Sequence, residues 1–135
     1  MTIYVCLDDK NGMLFNKRRQ SRDAAVLADI QNSLTDVLTI DAFSEKLIQG
    51  ANISYVLAPK CLTELPENAH FFAENRSPRE LAEAASAVVI YRWNRHYPAD
   101  LRWEAEPAEF GFVLSETLDF PGKSHETITK EVYVK

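Results

Sequence analysis

Several kinds of residue are scarce in this chain, and each scarcity excludes something. There are two cysteines, Cys6 and Cys61, with no Cys-x-x-Cys spacing, so neither a disulfide framework nor a dithiol redox motif is available. Cys6 sits in the apolar run Thr2-Ile3-Tyr4-Val5-Cys6-Leu7, where a free thiol behaves as a small hydrophobe. The three histidines, His70, His96 and His125, are far apart and form no metal-ligand motif, so no metal is expected. Four glycines and six prolines are scattered as punctuation, which leaves no linker, repeat or low-complexity tract. No apolar run approaches the roughly 18 residues of a membrane span. The N-terminus has neither a basic n-region nor a small-residue cleavage site, so cytoplasmic residence is the expectation, with no membrane partner. Positive charge is also in deficit. The formal net charge is −5, which argues against sequence-blind binding of nucleic acid but leaves room for a local basic patch.

What remains is an ordinary globular composition. Hydrophobic residues make up 46% and charged residues 26% of 135, enough for one self-sufficient domain spanning 1–135. Residues 2–7 read as a first strand, stopped by Asp8-Asp9 and a turn at Lys10-Asn11-Gly12; residues 13–20 read as irregular and basic. A helix is expected from about Ser21 to Leu34, capped by Ser21 or Asp23, with Val26, Leu27, Ile30 and Leu34 on one face. Val37–Ile40 reads as a strand and Asp41–Gln49 as a short helix stopped by Gly50. A buried strand at Asn52–Leu57, an apolar turn at Pro59–Leu65 and a strand at Ala69–Ala73 follow. Ser77-Pro78-Arg79-Glu80 has the form of a capping box opening another helix. Ala87–Trp93 is a continuous apolar run, as in a strand buried on both faces. Phe110–Leu118 and Ile128–Val134 alternate and suit an antiparallel pair at the sheet edge. The order implies an α/β fold, a mainly parallel sheet with helices on both faces and a C-terminal antiparallel hairpin.

That order, with its late hairpin, resembles dihydrofolate reductase. The resemblance is carried by Val88–Asp100, Leu101-Arg102-Trp103 and Phe110–Glu116, which look like that family's strand, its Gly-Asp-x-x-Phe-Pro segment and its Trp-x-x-Val-x-x-Glu strand. Asp100 stands where the family's Asp stands, Trp103 replaces its Phe and Phe110 its Trp; Ser124–Tyr133 resembles the last strand, and Tyr4–Met13 the first strand with its Asn-Gly turn. The resemblance implies a dihydrofolate reductase-like fold. It also places Asp23 at the family's single catalytic carboxylate, and Tyr91 where a supporting threonine belongs. The departures are as informative. Lys17-Arg18-Arg19-Gln20 replaces the family's Leu-Pro-Trp. The Gly-Gly pair that lets backbone approach the cofactor pyrophosphate is missing, with Ala84-Ala85-Ser86 the nearest stretch, and the strand and helix around that pair read as deleted. Without those glycines a dinucleotide has no physical basis for binding, so no cofactor is expected.

The sequence also resembles a group of short bacterial proteins sharing Asp8-Asp9…Gly12-Met13-Leu14-Phe15-Asn16…Arg18-Arg19-Gln20-Ser21…Asp23 and the tail Ser124–Tyr133. Members are sometimes labelled ribonuclease Z. That chemistry needs a clustered His-x-His-x-Asp-His loop to hold two metal ions, and this chain has none, so the label carries no chemistry here.

The most unusual local feature is the basic loop, with Lys17, Arg18, Arg19 and Arg22 clustered in a net-acidic chain. Guanidinium groups beside a helix N-terminus suit a phosphate or carboxylate; a solvated loop pairing with Asp8, Asp9 or Asp23 is the alternative. Asp8 and Asp9 end the first strand, where α/β sheets form their ligand crevice, or else they simply form the turn. Asp23 as a proton donor follows from the resemblance alone, and its local reading is a helix cap. Trp93–Pro98 is rich in residues that line pockets or interfaces. Ser124-His125-Glu126 cannot form a triad among themselves, since neighbours on a strand point to opposite faces. The favoured function is a non-catalytic domain binding an anionic small molecule or a partner protein through the basic loop. One alternative is a reductase using NADPH and Asp23. Another is an RNA-binding or RNA-cleaving protein using Lys17, Arg18, Arg19 and Arg22, with His96 or His125 as general base.

Overall fold

The computed structural model describes all of residues 1–135. The chain opens with β1 (Thr2–Leu7), then makes a small excursion through β2 (Gly12–Phe15) and β3 (Arg18–Arg19) before α1 (Ala24–Ser33). β4 (Leu38–Ile40), α2 (Glu45–Gly50), β5 (Tyr55–Leu57), β6 (His70–Phe72), α3 (Pro78–Ala84) and β7 (Ala87–Arg92) follow. β8 (Leu101–Arg102) returns to the excursion, and β9 (Val113–Pro121) and β10 (Thr127–Val134) close the chain as a hairpin.

The main sheet has seven strands in the order β5-β4-β6-β1-β7-β10-β9. The first five are mutually parallel. β10 then runs antiparallel to both β7 and β9. A second sheet, β3-β2-β8, sits above one end of β1. No helix is long and apolar enough to cross a membrane.

The pleat of β1 divides the core, because successive side chains on a strand point to opposite faces. Ile3, Val5 and Leu7 pack with Leu81 and Ala82 of α3 and with Trp103 and Phe112. Tyr4 packs on the other face with Val26, Leu27 and Ile30 of α1 and Leu47 and Ile48 of α2. Helices therefore cover both faces, as expected. Ile3, Ile30, Leu38, Ile40, Ile48 and Leu81 are completely buried, each contributing about 2–3 kcal/mol through removal of apolar surface from water. Val88–Tyr91 in β7 are buried on both faces, which explains the unbroken apolar run.

Local expectations needed correction in five places. Residues 13–20 are not irregular: β2 and β3 form a tight hairpin, with Phe15 opposite Arg18 and Asn16 and Lys17 both left-handed at the turn (φ 54° and 60°). The side chain of Asp100 accepts the Asn16 N–H at 2.9 Å and steadies that turn. Residues 52–57 give an edge strand rather than a buried one; β5 has a neighbour on one side only, and Val56 and Leu57 are exposed. The strand expected from Phe110 begins at Val113, because Pro107–Phe110 winds into a 3-10 turn ended by Gly111 in the left-handed region (φ 81°). The crossover that read as deleted is present, since β6, α3 and β7 form a βαβ unit with β1 between the two strands. Finally, Ser77 occupies the cap of α3 with Pro78 behind it, but its side chain makes no capping bond, and Glu80 turns instead toward Arg76 at 3.6 Å.

The contrast between the two helix caps is measurable. Ser77→Ala should change stability by less than about 0.5 kcal/mol, since no bond is lost. Asp23→Ala, which removes a carboxylate that caps α1 and much else, should cost more than about 3 kcal/mol in chemical denaturation.

Candidate functional site

The parallel strands β1, β6 and β7 all end at one edge, against the N-terminus of α1, and two buried carboxylates organise what gathers there. Asp8 follows β1 and is fully buried. Its Oδ1 accepts the N–H groups of Lys10 (2.8 Å) and Gly12 (2.7 Å); its Oδ2 accepts the Tyr97 N–H and the Gln20 side-chain amide, both at 3.1 Å. Burial alone would raise its pKa, but these donors outweigh it and hold the group below the usual carboxylate range. Gly12 is needed at this spot: a Cβ there would lie 2.8 Å from Asp8 Oδ2 and 2.5 Å from Gln20 Nε2. Asp8 is thus spent on fixing the loop and offers no oxygen outward, while Asp9 is exposed and tied only by its N–H to the Arg95 carbonyl.

Asp23 plays the same part across a longer distance. It is the cap of α1, accepting the Ala25 N–H at 2.8 Å. It also accepts the N–H groups of Lys123, Ser124 and His125 from the β9–β10 turn, at 2.8–3.1 Å. His125 Nδ1 lies 3.0 Å from Asp23 Oδ2. Burial would raise this carboxyl too; the Lys123 N–H, the His125 imidazole and the Ser124 and Ala25 N–H groups together bring it down to about 2. Gly122 permits the approach, since a Cβ there would meet His125 O at 2.5 Å and Asp23 Oδ2 at 2.6 Å.

An ionised carboxylate can only accept, so Nδ1 carries the proton between this pair, and Nε2 is the acceptor in the neutral ring. Two hydroxyls face Nε2: Tyr97 Oη at 3.0 Å and Ser21 Oγ at 3.2 Å. The ring is stacked on Trp93, with centroids 4.6 Å apart and planes 17° from parallel, which fixes its orientation. Tyr91, expected beside Asp23, instead donates to Asp29 Oδ2 at 2.6 Å, where Lys130 also reaches at 2.8 Å. That pair pins α1 to the sheet and leaves the support of Asp23 to His125 and the turn.

The basic loop separates into different environments. Arg19 pairs with none of Asp8, Asp9 or Asp23: it forms a two-bond pair with Glu74, both at 2.8 Å, and its guanidinium lies over the Phe43 ring. Ser44 Oγ donates to the same Glu74 at 2.7 Å. Lys17, Arg18 and Arg22 are exposed and make no ion pair. Lys17 and Arg18 stand on the β2–β3 hairpin; Arg22 stands beside α1, on the rim of two adjoining hollows.

The first hollow is a narrow crevice lined by Cys6, Met13, Ser21, Phe72 and Trp93, with about 20 Å³ free. Burial pushes the Cys6 thiol far up, so it is no nucleophile. The second is a cleft of about 390 Å³ between α1 and α2, lined by Leu27, Leu47, Ala51 and Ile53 together with Arg22, Lys46 and Ser124. Lys46 makes no ion pair either. No group of three His, Cys, Asp or Glu side chains is arranged to hold a metal ion.

Sequence reasoning singled out Asp8, Asp23 and the cations but missed their partners. Ser21 was read only as a cap, His125 only as a base for RNA, and Lys46 and Glu74 not at all. The partners of Asp23 lie about a hundred positions away, so no local spacing announces them. The usable signal was glycine: in a chain with four, Gly12 and Gly122 each stand beside a buried carboxylate.

No family model matches the chain, and no curated protein does. Among solved structures, its backbone is similar to a dihydrofolate reductase from Enterococcus faecalis, complexed with NADP(H) and RAB-propyl. The TM-score is 0.68 over 98% of this chain and 94% of that one, at 9% sequence identity.

Asp23 makes the acid response of this site specific. Its pKa is depressed in the fold, so its stabilisation is complete above the unfolded value near 3.8 and fades as pH falls through about 2. Asp23 should account for a loss of about 2 kcal/mol between pH 4 and 2 by urea denaturation, and Asp23→Asn should lose less than the wild type by about that amount across the window, with Asp8 supplying a remaining slope.

Proposed function

Starting from a dihydrofolate reductase fold whose active edge has been rebuilt, we propose that this domain binds a small amphipathic anion, a carboxylate or phosphate on an apolar body, in the cleft between α1 and α2. The observation that carries the reading is the lining of that cleft: apolar Leu27, Leu47, Ala51 and Ile53 together with the cations Arg22 and Lys46, neither paired with a carboxylate. Asp23 borders the cleft, but its oxygens are saturated by the 123–125 turn. A pocket of several hundred Å³ with apolar walls and a few convergent polar groups is the usual form of a small-molecule site. Of the four cations in the basic loop, Arg22 serves this role; Arg19 is committed to Glu74, and Lys17 and Arg18 face elsewhere.

The reductase alternative is weaker on two counts. A carboxyl serves as a proton donor near neutral pH only when its pKa is raised, and Asp23 is held at about 2. A nicotinamide dinucleotide also does not fit these residues. The turn from β6 into α3, where a pyrophosphate would meet a helix N-terminus, is Ala73-Glu74-Asn75-Arg76-Ser77. It has no glycine, a buried Ala73, and a carboxylate at Glu74. The RNA alternative keeps only three free loop cations in a chain of net charge −5.

Naphthalene-1-sulfonate and the neutral naphthalene-1-methanol share one apolar body and differ in charge. The sulfonate should raise the melting temperature and the alcohol much less, because a ligand that binds only the folded state stabilises it. Arg22→Ala with Lys46→Ala should weaken sulfonate binding at least about tenfold, since each charge-assisted bond is worth about 1.5–3 kcal/mol. No shift in the wild type, or an equal shift in the double variant, would contradict the reading.

A further inference from the structure

Ser21, His125 and Asp23 stand in the order that an acyl-transfer enzyme needs, and we propose that they form a nucleophilic triad acting on esters or thioesters of a short acyl group. The inference goes beyond anion binding and shares only Arg22 and the bordering Asp23 with that site. Its first support is connectivity. Asp23 Oδ2 is 3.0 Å from His125 Nδ1, and His125 Nε2 is 3.2 Å from Ser21 Oγ, so the base touches its orienting carboxylate on one nitrogen and a hydroxyl on the other. The second support is the state of each member. The carboxylate is buried and already satisfied by backbone N–H groups, so it orients the imidazole without taking up a proton. The imidazole is buried, stacked on Trp93 and unable to swing away. The serine lines the crevice with Cys6, Met13, Phe72 and Trp93, and Asp23 borders it as well.

The remaining neighbours agree with this chemistry. Arg22 borders the same crevice with no carboxylate on it, a positive charge near the place where an oxyanion would form. Tyr97 Oη shares the Nε2 lone pair at 3.0 Å, so it competes with Ser21 at rest. The crevice sets the substrate class. With about 20 Å³ free it accepts little more than one water-sized group, which suits acetyl and excludes a long acyl chain.

The steps balance without any further reagent. Ser21 Oγ attacks the acyl carbon and its proton passes to His125 Nε2. The bond to the leaving oxygen or sulfur breaks, and the leaving group takes that proton. Water then attacks the acyl-serine, giving a proton to Nε2, and the carboxylic acid departs as Ser21 regains its hydrogen. Asp23 stays ionised throughout and is a positioning residue, while Ser21 and His125 touch the reacting atoms.

A fluorophosphonate probe tests this on the intact chain, because Ser21 Oγ would displace fluoride from phosphorus and keep the label. Mass spectrometry should find the label on Ser21. Hydrolysis of p-nitrophenyl acetate should exceed that of the hexanoate, and Ser21→Ala should lower both labelling and acetate hydrolysis at least about 100-fold. Tyr97→Phe should retain or increase labelling. His125 is built into the fold, so its role is read in the wild type: 15N NMR should place the single imidazole proton on Nδ1. A folded wild-type protein that takes no label, a label on another residue, labelling unchanged in Ser21→Ala, or a proton on Nε2 would each overturn the proposal.

Discussion

The carboxylate of Asp23 is the point on which this structure turns. One side chain caps α1, gathers the backbone of residues 123–125 and sets the tautomer of His125. A charge taken out of water is costly unless its lone pairs are filled; here they are filled by groups from both ends of the chain. The first helix and the final hairpin, a hundred residues apart, are therefore joined through a single ion. Gly122 allows the turn to close that tightly. Asp8 repeats the arrangement on a smaller scale, with Gly12 beside it and Tyr97 brought in through its N–H. Because Tyr97 also faces His125, the two carboxylates hold neighbouring parts of one site.

The same constraint separates the fold from its usual chemistry. A scaffold shared with a dihydrofolate reductase offers its strand ends to a ligand. In this chain the carboxylate at that edge is turned into the protein and kept ionised, and the βα turn that follows β6 carries Glu74 and no glycine. Glu74 in turn fixes Arg19 and Ser44. That edge carries ion pairs and hydrogen bonds of its own. What stays open lies to one side, in the α1–α2 cleft, and in the narrow crevice that reaches Ser21. Fold and function are separable in this way because chemistry resides in the side chains grafted onto a scaffold.

The sequence revealed the scaffold where a period or a run was strong. Val26, Leu27 and Ile30 marked one helix face, and Val88 to Tyr91 marked a strand buried on both sides. It was less informative where a few residues choose between local forms. The left-handed Asn16 and Lys17 turned an apparent loop into a hairpin, and Gly111 moved the start of β9 by three positions. The capping signature at Ser77 looked stronger than the one at Asp23, yet only Asp23 caps through its side chain. Of the site, the carboxylates and cations were visible as unusual residue types, but their roles depended on partners distant in sequence. Arg19 finds Glu74 and Asp23 finds His125 only after the sheet has formed, so no spacing rule could pair them. Ser124-His125-Glu126 lie in the β9–β10 turn and not on the strand the sequence suggests, and the side-chain partners of His125 are Asp23, Ser21 and Tyr97.

The account stands on Asp23 being a locked, ionised anchor and not a proton donor. Carbon-13 NMR of its carboxyl group, titrated from neutral pH downward, measures this directly. The account expects the carboxyl midpoint near 2. A midpoint near neutrality would contradict it.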